Sequence, residues 1–200
     1  MVPDLSKLIN RQRNVVCFTG PRPNQMHGYV HEPYKPIVQY LTDVLRNIAD
    51  LGATDFISGG AQGFDQLAFW SVEHLKRTTH PNVNNIVYVP FRNQPCRWSL
   101  NGAFSQSEYG LMLSHADKYH ILDDDPEPDD VRMASHHMLQ RNHLMVCDSN
   151  LVVALLAGRS LDWKHAPGGT SECVRYARMM HKKVLTLVYR PGSPIEIDLI

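Results

Sequence analysis

The sequence predicts an α/β fold, a single domain in which a mostly parallel sheet is flanked by helices on both faces. Strand-like and helix-like segments alternate along the chain, and most strand-like segments are apolar along their whole length. Strands that are apolar on both faces are typical of parallel sheets covered by two helical layers. The 200 residues, 43% of them hydrophobic, are enough for one such domain with a sizeable core.

The predicted elements follow from hydrophobic periodicity. Apolar runs predict strands at residues 15–18, 86–89, 151–156 and 184–189, and shorter strands are predicted at residues 54–57 and 118–122. Apolar residues spaced three and four apart predict helices at residues 37–51, 64–78, 105–116, 131–145 and 171–180. Residues 1–13 are expected to be an N-terminal extension, and residues 190–200 a tail with room for an edge strand.

Local signals mark two of the helix ends. Gly52 follows the predicted helix 37–51 and is a typical C-terminal stop. Thr170 precedes the helix 171–180, where its hydroxyl is suited to cap free N–H groups. The segments 24–36 and 157–166 are predicted to be loops.

The composition excludes several classes of protein. The chain has 20 basic residues (lysine and arginine) and 20 acidic residues (aspartate and glutamate), so its formal net charge is zero. No overall field therefore attracts nucleic acid or an anionic membrane. The 4 cysteines form no close pair, and three of them lie in apolar segments as core residues would, which indicates a reducing compartment. The sequence has no apolar run of the length of a signal peptide or membrane span, so a cytoplasmic location is expected.

Neither a metal site nor a cofactor is predicted. The histidines lack the spacing with cysteine partners that zinc sites show. Residues 123–130 form an acidic run broken by prolines. Such a run is more typical of a solvated loop, whose acids favour the N-terminus of the next helix, than of a converging set of metal ligands.

Glycine-bearing turns follow three of the predicted strands. They contain Thr19, Gly20 and Arg22; then Ser58, Gly59, Gly60 and Gly63; and then Gly168, Gly169 and Thr170. Because parallel strands have their carboxyl ends at one edge of the sheet, we expect the three turns to meet there. Free N–H groups at the helix N-termini, with Arg22 as a charged clamp, suit a phosphate. The spacing matches neither the P-loop nor the usual dinucleotide fingerprint, and the alternative is that the glycines only turn the chain tightly.

Arg141 is expected to contact either an acid of the fold or a ligand. It shares an apolar face of the helix 131–145 with Ala134 and Met138, and an arginine that faces a sheet needs a partner. A third alternative is that its guanidinium extends to solvent along the helix surface. Asn142 beside it can both donate and accept hydrogen bonds.

Four further residues near the turns are candidates for ligand contact. Asp65 and Glu172 each lie in the first turn of a helix that follows glycine. Each either interacts with the helix dipole, worth up to about 1 kcal/mol, or serves ribose binding or acid–base chemistry. Gln94 and Trp98 follow the third strand, and Trp98 either stacks on a base or packs within the protein.

Together these motifs resemble the SLOG superfamily, the Rossmann-like group that includes the cytokinin-activating LOG enzymes and the DNA-processing protein DprA. The closest branch is the YpsA-like one. The resemblance covers most of the chain and rests on the order of its motifs: Thr19-Gly20 with Arg22-Pro23, Ser58 to Asp65, Pro90-Phe91 with Gln94 and Trp98, Tyr109, Ala116-Asp117, Arg141-Asn142 with Met145, and Gly169-Thr170 with Glu172.

The resemblance implies a pocket for a nucleotide or an ADP-ribose-like derivative at the strand ends, lined by the motif residues. In LOG-like enzymes an arginine and a glutamate carry N-glycosidic hydrolysis of nucleoside 5′-monophosphates. Arg141 and Glu172 are their counterparts here, with Asp65 a further candidate. The family pattern P-G-G-x-G-T-x-x-E is shortened by three residues in the segment from Pro167 to Glu172. Whether Glu172 reaches the catalytic position is therefore an open question, but the binding pocket does not depend on the answer.

Three functions remain as alternatives. The first is a binder of a nucleotide-derived small molecule, acting as a sensor or sequestering module. The second is a LOG-type N-glycosidase. The third, DprA-like binding of single-stranded DNA, is disfavoured by the neutral charge and the acidic run. No nucleic acid or membrane partner is expected, and the superfamily implies a homodimer formed through sheet-flanking helices.

Overall fold

The computed structural model describes residues 14–124 and 131–200 of the chain. Within these ranges the predicted alternation of strands and helices is confirmed, and the α/β fold class is correct. The extension 1–13 and most of the acidic run, residues 125–130, lie outside the described residues.

In the described residues the sheet has seven strands: β1 (Val15–Thr19), β2 (Asp55–Ser58), β3 (Asn84–Val89), β4 (Lys118–Ile121), β5 (Leu151–Leu156), β6 (Lys183–Val188) and β7 (Glu196–Leu199). The α-helices are α1 (Lys35–Asp50), α2 (Phe64–Thr78), α3 (Gln106–His115), α4 (Val131–Asp148) and α5 (Gly169–Met179). Segments predicted to be loops contain the short 3-10 helices Glu32–Tyr34 and Gly158–Asp162, and a third, Pro23–Gln25, follows β1. The tail therefore does supply an edge strand, β7.

The sheet reverses its strand order beside β1. The order is β4-β3-β2-β1-β5-β6-β7, and every neighbouring pair is parallel except β6 with β7. The chain moves outward from β1 to β4 and then crosses to the other side of β1 to form β5. In open sheets of this kind ligands bind at such a reversal, outside the carboxyl ends of the strands.

Helices cover both faces of the sheet, as predicted. Successive residues of β1 point to opposite faces. Val16 and Phe18 pack in the cluster that contains the buried sides of α1 and α2, whereas Val15 and Cys17 pack in the cluster with α4 and α5. Full burial of each large apolar side chain contributes about 1.5–3 kcal/mol, so these two layers supply the main driving force for the fold.

The start of α5 corrects one prediction. Thr170 is not the N-cap, because α5 already begins at Gly169 and its N-cap is Gly168. Gly168 has φ +115°, a conformation that glycine adopts easily and other residues rarely do. At α1 the prediction is correct, since the helix ends at Asp50 and Gly52 follows with φ +107°.

The cysteines are less buried than predicted. Cys17 and Cys173 are buried, but Cys96 and Cys147 are exposed, so two rather than three belong to the core. Cys147 lies near the end of α4, whose buried residues are Ala134, Arg141, Met145 and Val146. The part of the chain that the structure describes has no helix both long and apolar enough to cross a membrane.

Candidate functional site

A cavity of about 570 Å³ opens at the carboxyl edge of the sheet, where the strand order reverses. Its walls come from the loop after β1, the middle of α4, the 3-10 helix after β5 and the start of α5. The turn after β2 contributes Ala61 and Asp65. The volume lies within the range of about 300–1,000 Å³ that is usual for small-molecule sites.

Many of the predicted site residues line this cavity: Thr19, Gly20, Arg22, Asp65, Arg141, Asn142, Gly168, Gly169, Thr170 and Glu172. Others lie outside it: Ser58, Gly59, Gly60, Gly63, Gln94 and Trp98. The difference follows from the strand order, because β2 is one strand away from the reversal between β1 and β5. In the turn after β2, Ala61 lines the cavity, but the glycines Gly59, Gly60 and Gly63 do not.

The turn after β2 supports the cavity wall from behind. A Cβ at Gly59 would overlap the guanidinium of Arg141, which donates a hydrogen bond to the Gly59 carbonyl. Gln94 also donates to that carbonyl, over 3.2 Å, and accepts a 2.9 Å hydrogen bond from the Tyr109 hydroxyl. Gly63 has φ +92° and a backbone carbonyl, that of Pro21, only 2.6 Å from where its Cβ would be. In this structure these glycines and Gln94 serve close packing.

Trp98 and Ser58 also have structural surroundings. Trp98 packs edge-on against Tyr109, with ring centroids 5.3 Å apart, on the side of the molecule covered by α3. Trp98 thus packs within the protein in this structure, and its stacking on a base stays a prediction. The hydroxyl of Ser58 is buried and has no hydrogen-bond partner in the described part of the chain.

Arg22, Asp65 and Arg141 form an inner ion group at the base of the cavity. The Arg141 guanidinium lies 3.9 Å from Asp65 Oδ2 and 3.5 Å from the Tyr88 carbonyl, and its side chain is only 4% exposed. Arg22 is partly buried, and its Nη2 lies 3.8 Å from the sulfur of Met138, a weak acceptor. Arg141 is therefore satisfied by the protein, whereas most donors of Arg22 have no partner among the residues that the structure describes.

Burial dominates the electrostatics of the inner ion group. It raises the pKa of the Asp65 carboxyl, although Arg141, Arg22 and the backbone N–H groups of Ala61 and Gly59 act in the opposite direction. Burial also lowers the pKa of Arg22, which Asp65 partly offsets. Both shifts have the sign expected when charged groups lose contact with water.

Arg159, Glu172 and Arg175 form an outer ion group around the start of α5. Arg175 donates to Glu172 Oε2 over 2.7 Å and to the carbonyls of Trp163 and Ala166 over 2.8 and 2.9 Å. Arg159 is exposed and has no hydrogen-bond or ion-pair partner among the residues that the structure describes. Its guanidinium lies beside Gly168, where a Cβ would be 3.4 Å from Nη2.

The first turn of α5 adds hydrogen-bond donors to the cavity. The first N–H groups of a helix have no partner within it and carry the positive end of the helix dipole. Ser171 in this turn lines the cavity, is 1% exposed, and has a hydroxyl without a partner in the described ranges 14–124 and 131–200. This end of the cavity is therefore rich in donors.

Sequence reasoning missed Arg159 and Arg175. Arg159 comes three residues after β5, as Arg22 comes three residues after β1, and the two strands are neighbours with β5 extending beyond the end of β1. That shared position relative to adjacent strand ends was the available signal for Arg159. Arg175 is visible only through its spacing of three from Glu172 on a helix.

The parallel sheet with a cationic cavity at its strand-order reversal defines a Rossmann-like α/β protein. Comparison with protein families identifies the particular family. Residues 16–151 match the model named YpsA, described as the YspA SLOG family, so the chain belongs to that family. The resemblance noted from the motifs is thus confirmed, and the family and fold support a nucleotide-related function in general terms.

Two individual proteins are similar to the chain. The uncharacterized SPbeta prophage-derived protein YoqJ of Bacillus subtilis (strain 168) is 30% identical over 153 residues, which cover 72% of this chain and 81% of YoqJ. The X-ray structure of TM1055, a target of the Northeast Structural Genomics Consortium, has a TM-score of 0.49 and 13% identity, covering 86% of this chain and 72% of that one.

Proposed function

We propose that the protein binds a nucleotide or ADP-ribose-like ligand through its phosphate groups in the cavity beside β1 and β5, as a sensor or ligand-sequestering module. The observation that carries the proposal is the charge balance of the cavity. Four arginines and two carboxylates line it, and Arg22 and Arg159 have no carboxylate within ion-pair distance in the described residues. Guanidinium groups in this state are suited to bidentate phosphate contacts.

The arrangement of Glu172 favours binding over hydrolysis. Its carboxylate is engaged by Arg175, which two backbone carbonyls hold in place. A general acid or base must reach the proton that it transfers, and in this structure the Glu172 carboxylate is hydrogen-bonded to Arg175 instead. The nearby Cys173 thiol is no nucleophile at neutral pH either, because burial raises its pKa to about 12.

A LOG-type N-glycosidase is the second candidate, because Asp65 and Glu172 line the same cavity as the arginines. In this function one carboxylate stabilises the oxocarbenium-like sugar or activates water while Arg22 and Arg141 hold the phosphate. A carboxylate beside a phosphate repels it, so the reactive one would face the sugar.

Binding can be tested with the wild type and two variants. Isothermal titration with AMP, ADP-ribose and a cyclic nucleotide is expected to give measurable affinity for at least one of them. Arg22→Ala should weaken that binding by about 1.5–3 kcal/mol, the loss expected for a charge-assisted hydrogen bond. Arg178→Ala, at the far end of α5, is the matched control and should bind as the wild type does. Unchanged affinity in Arg22→Ala counts against Arg22 as a phosphate ligand.

Hydrolysis can be tested on the same protein. The wild type is incubated with AMP, dAMP and other nucleoside monophosphates, and free base is measured by chromatography. The binder function predicts no release above buffer together with a thermal shift by the ligand that binds. Free base that disappears in Glu172→Gln would instead establish the glycosidase.

The proposal includes a homodimer and a cytoplasmic location. The family resemblance supports the dimer, and the composition, with free cysteines and no net charge, supports the location. Light scattering on the purified chain gives the oligomeric state directly. A monomer at micromolar concentration would remove the dimer from the proposal without affecting the ligand site.

A further inference from the structure

We infer that Arg141 fixes the side-chain amide of Asn142 as a donor toward the cavity, so that Asn142 and the start of α5 select a ligand group that only accepts hydrogen bonds. The inference rests on the proposed function, since it specifies how the same cavity recognises phosphate. It assigns Arg141 a positioning role rather than direct contact with the ligand.

The orientation of the Asn142 amide follows from its partner. Arg141 Nε donates to Asn142 Oδ1 over 2.9 Å. A guanidinium has donors and no acceptor, so the atom of Asn142 that faces it has to be the carbonyl oxygen. This chemistry settles an O/N assignment that hydrogen-bond networks otherwise leave open in side-chain amides. The NH₂ group consequently points away from Arg141.

Arg141 itself has no freedom to release Asn142. Its Nη1 donates to the Gly59 carbonyl and lies 3.9 Å from Asp65, and the side chain is almost fully buried. The space that a Cβ at Gly59 would need is filled by this guanidinium. Neighbouring residues on a helix do not normally face each other, so the contact with Asn142 depends on this anchoring.

The free NH₂ group of Asn142 faces the start of α5. A Cβ on Gly169 would be 3.6 Å from Asn142 Nδ2, and no described residue accepts a hydrogen bond from that nitrogen. The same region holds the free N–H groups of the first turn, and also the Ser171 hydroxyl and the Arg159 guanidinium, which have no hydrogen-bond partner within the described part of the chain. The side chain of Ser171 is almost fully buried.

Donors therefore surround this subsite, and the nearby carboxylate of Glu172 is hydrogen-bonded to Arg175. A phosphate oxygen accepts several hydrogen bonds and donates none when ionised, which matches the subsite. A hydroxyl or amide brings donor hydrogens that would face other donors. Asn142 is thus a specificity-determining residue for phosphate. It has this role because Arg141 fixes its amide, since a freely rotating amide could present either its oxygen or its NH₂ group.

The test is Asn142→Asp, with Asn142→Ala as its companion, in titrations with AMP and adenosine. Aspartate keeps an oxygen for Arg141 but presents a second oxygen, in place of NH₂, to the ligand. AMP affinity is expected to fall by about 100-fold or more in Asn142→Asp and about 10-fold in Asn142→Ala. Affinity for adenosine, which lacks the phosphate, should stay within about twofold of the wild type.

The outcomes separate this inference from the proposed function. If Asn142 only supports Arg141, Asn142→Asp preserves that contact and binds AMP as the wild type does, which overturns the inference alone. If the wild type binds no nucleotide, the proposed function fails, and the variants are compared by NMR titration with inorganic phosphate. Equal phosphate binding by wild type and Asn142→Asp, or no phosphate binding by the wild type, then overturns the inference as well.

Discussion

The cavity contains two ion groups of the same composition in different surroundings. The inner one has Arg22, Asp65 and Arg141, and the outer one has Arg159, Glu172 and Arg175; each has two guanidiniums and one carboxylate. The side chains of Arg141 and Asp65 are 4% and 9% exposed, whereas those of Arg175 and Glu172 are 33% and 41% exposed. Burial fixes the inner charges in place, because leaving one unpaired is costly, while water lets the outer charges exchange partners. Arg141 and Asp65 of the inner group are therefore suited to shaping the site, whereas Arg22 and the outer group are suited to meeting a ligand.

The largest expected effect is the loss of the inner arginine. Arg141→Met leaves Asp65 buried without its partner and the Gly59 carbonyl without a donor, so the free energy of unfolding should fall by about 3–5 kcal/mol. Urea unfolding monitored by circular dichroism measures the change. The matched variant is Arg175→Met in the outer group, which should cost less than about 1 kcal/mol. Equal losses in the two variants would remove the contrast between the groups.

The second effect concerns ligand affinity rather than stability. Arg159→Ala should weaken the binding of the nucleotide with the highest affinity by about 1.5–3 kcal/mol, because the substitution removes a charge-assisted hydrogen bond to phosphate. The free energy of unfolding should change by no more than about 0.5 kcal/mol, since Arg159 is exposed. Arg159→Lys keeps the charge without the planar fork and should give an intermediate affinity. A large loss of stability in Arg159→Ala would place this residue with the inner group.

The third effect is a dependence of stability on pH. Burial makes the pKa of Asp65 higher in the folded than in the unfolded chain, so the folded protein holds the proton more tightly. This contribution to stability is fully present below the unfolded-state pKa of about 3.9 and is lost as the pH rises through the folded-state pKa. As the pH is lowered from 7 to 4, the unfolding free energy of the wild type should therefore rise relative to that of Asp65→Asn. Glu172→Gln is the control at the cavity mouth. A difference between wild type and Asp65→Asn that shrinks toward pH 4 would mean that the arginines outweigh burial.

The smallest effect is expected for the outer ion pair. Glu172→Gln removes a pair that is 33% and 41% exposed and spans three residues of one helix. Pairs of this kind contribute about 0.2–1 kcal/mol, and salt should reduce the difference further. Thermal unfolding at low and high salt measures both quantities. A loss above 2 kcal/mol would show that Glu172 has a structural role that its exposure conceals.

The order of elements was predictable from the sequence because the strands of a parallel sheet are apolar on both faces. The runs at β1, β5 and β6 stand out for this reason, and the helices between them show regular apolar stripes. The start of α5 was less predictable, since Thr170 carries a capping side chain while the backbone turns at Gly168. A positive φ at glycine leaves no mark in the sequence that distinguishes it from any other glycine.

The candidate site was predictable only in part because the sequence does not give the strand order. Turns after β1 and before α5 line the cavity, as expected from their glycines and from Arg22. The turn after β2 has the same glycine pattern, but its glycines do not line the cavity, because β2 is one strand from the reversal. Arg159 was missed because residues 157–166 were predicted to be a loop, although Gly158 precedes it and begins a 3-10 helix there. Neither the partner of Arg141 nor the resulting orientation of Asn142 could be inferred from spacing.

The guanidinium of Arg141 fills the volume that a side chain at position 59 would require, so the two positions are linked in any related chain. In a homologue with a shorter residue at position 141, that volume is empty. Position 59 then no longer needs to be glycine. Substitution at 59 alone would expel the arginine from its place and free the adjacent amide to rotate. Alignments should accordingly show positions 59 and 141 changing together, and position 142 should vary in the chains where both have changed.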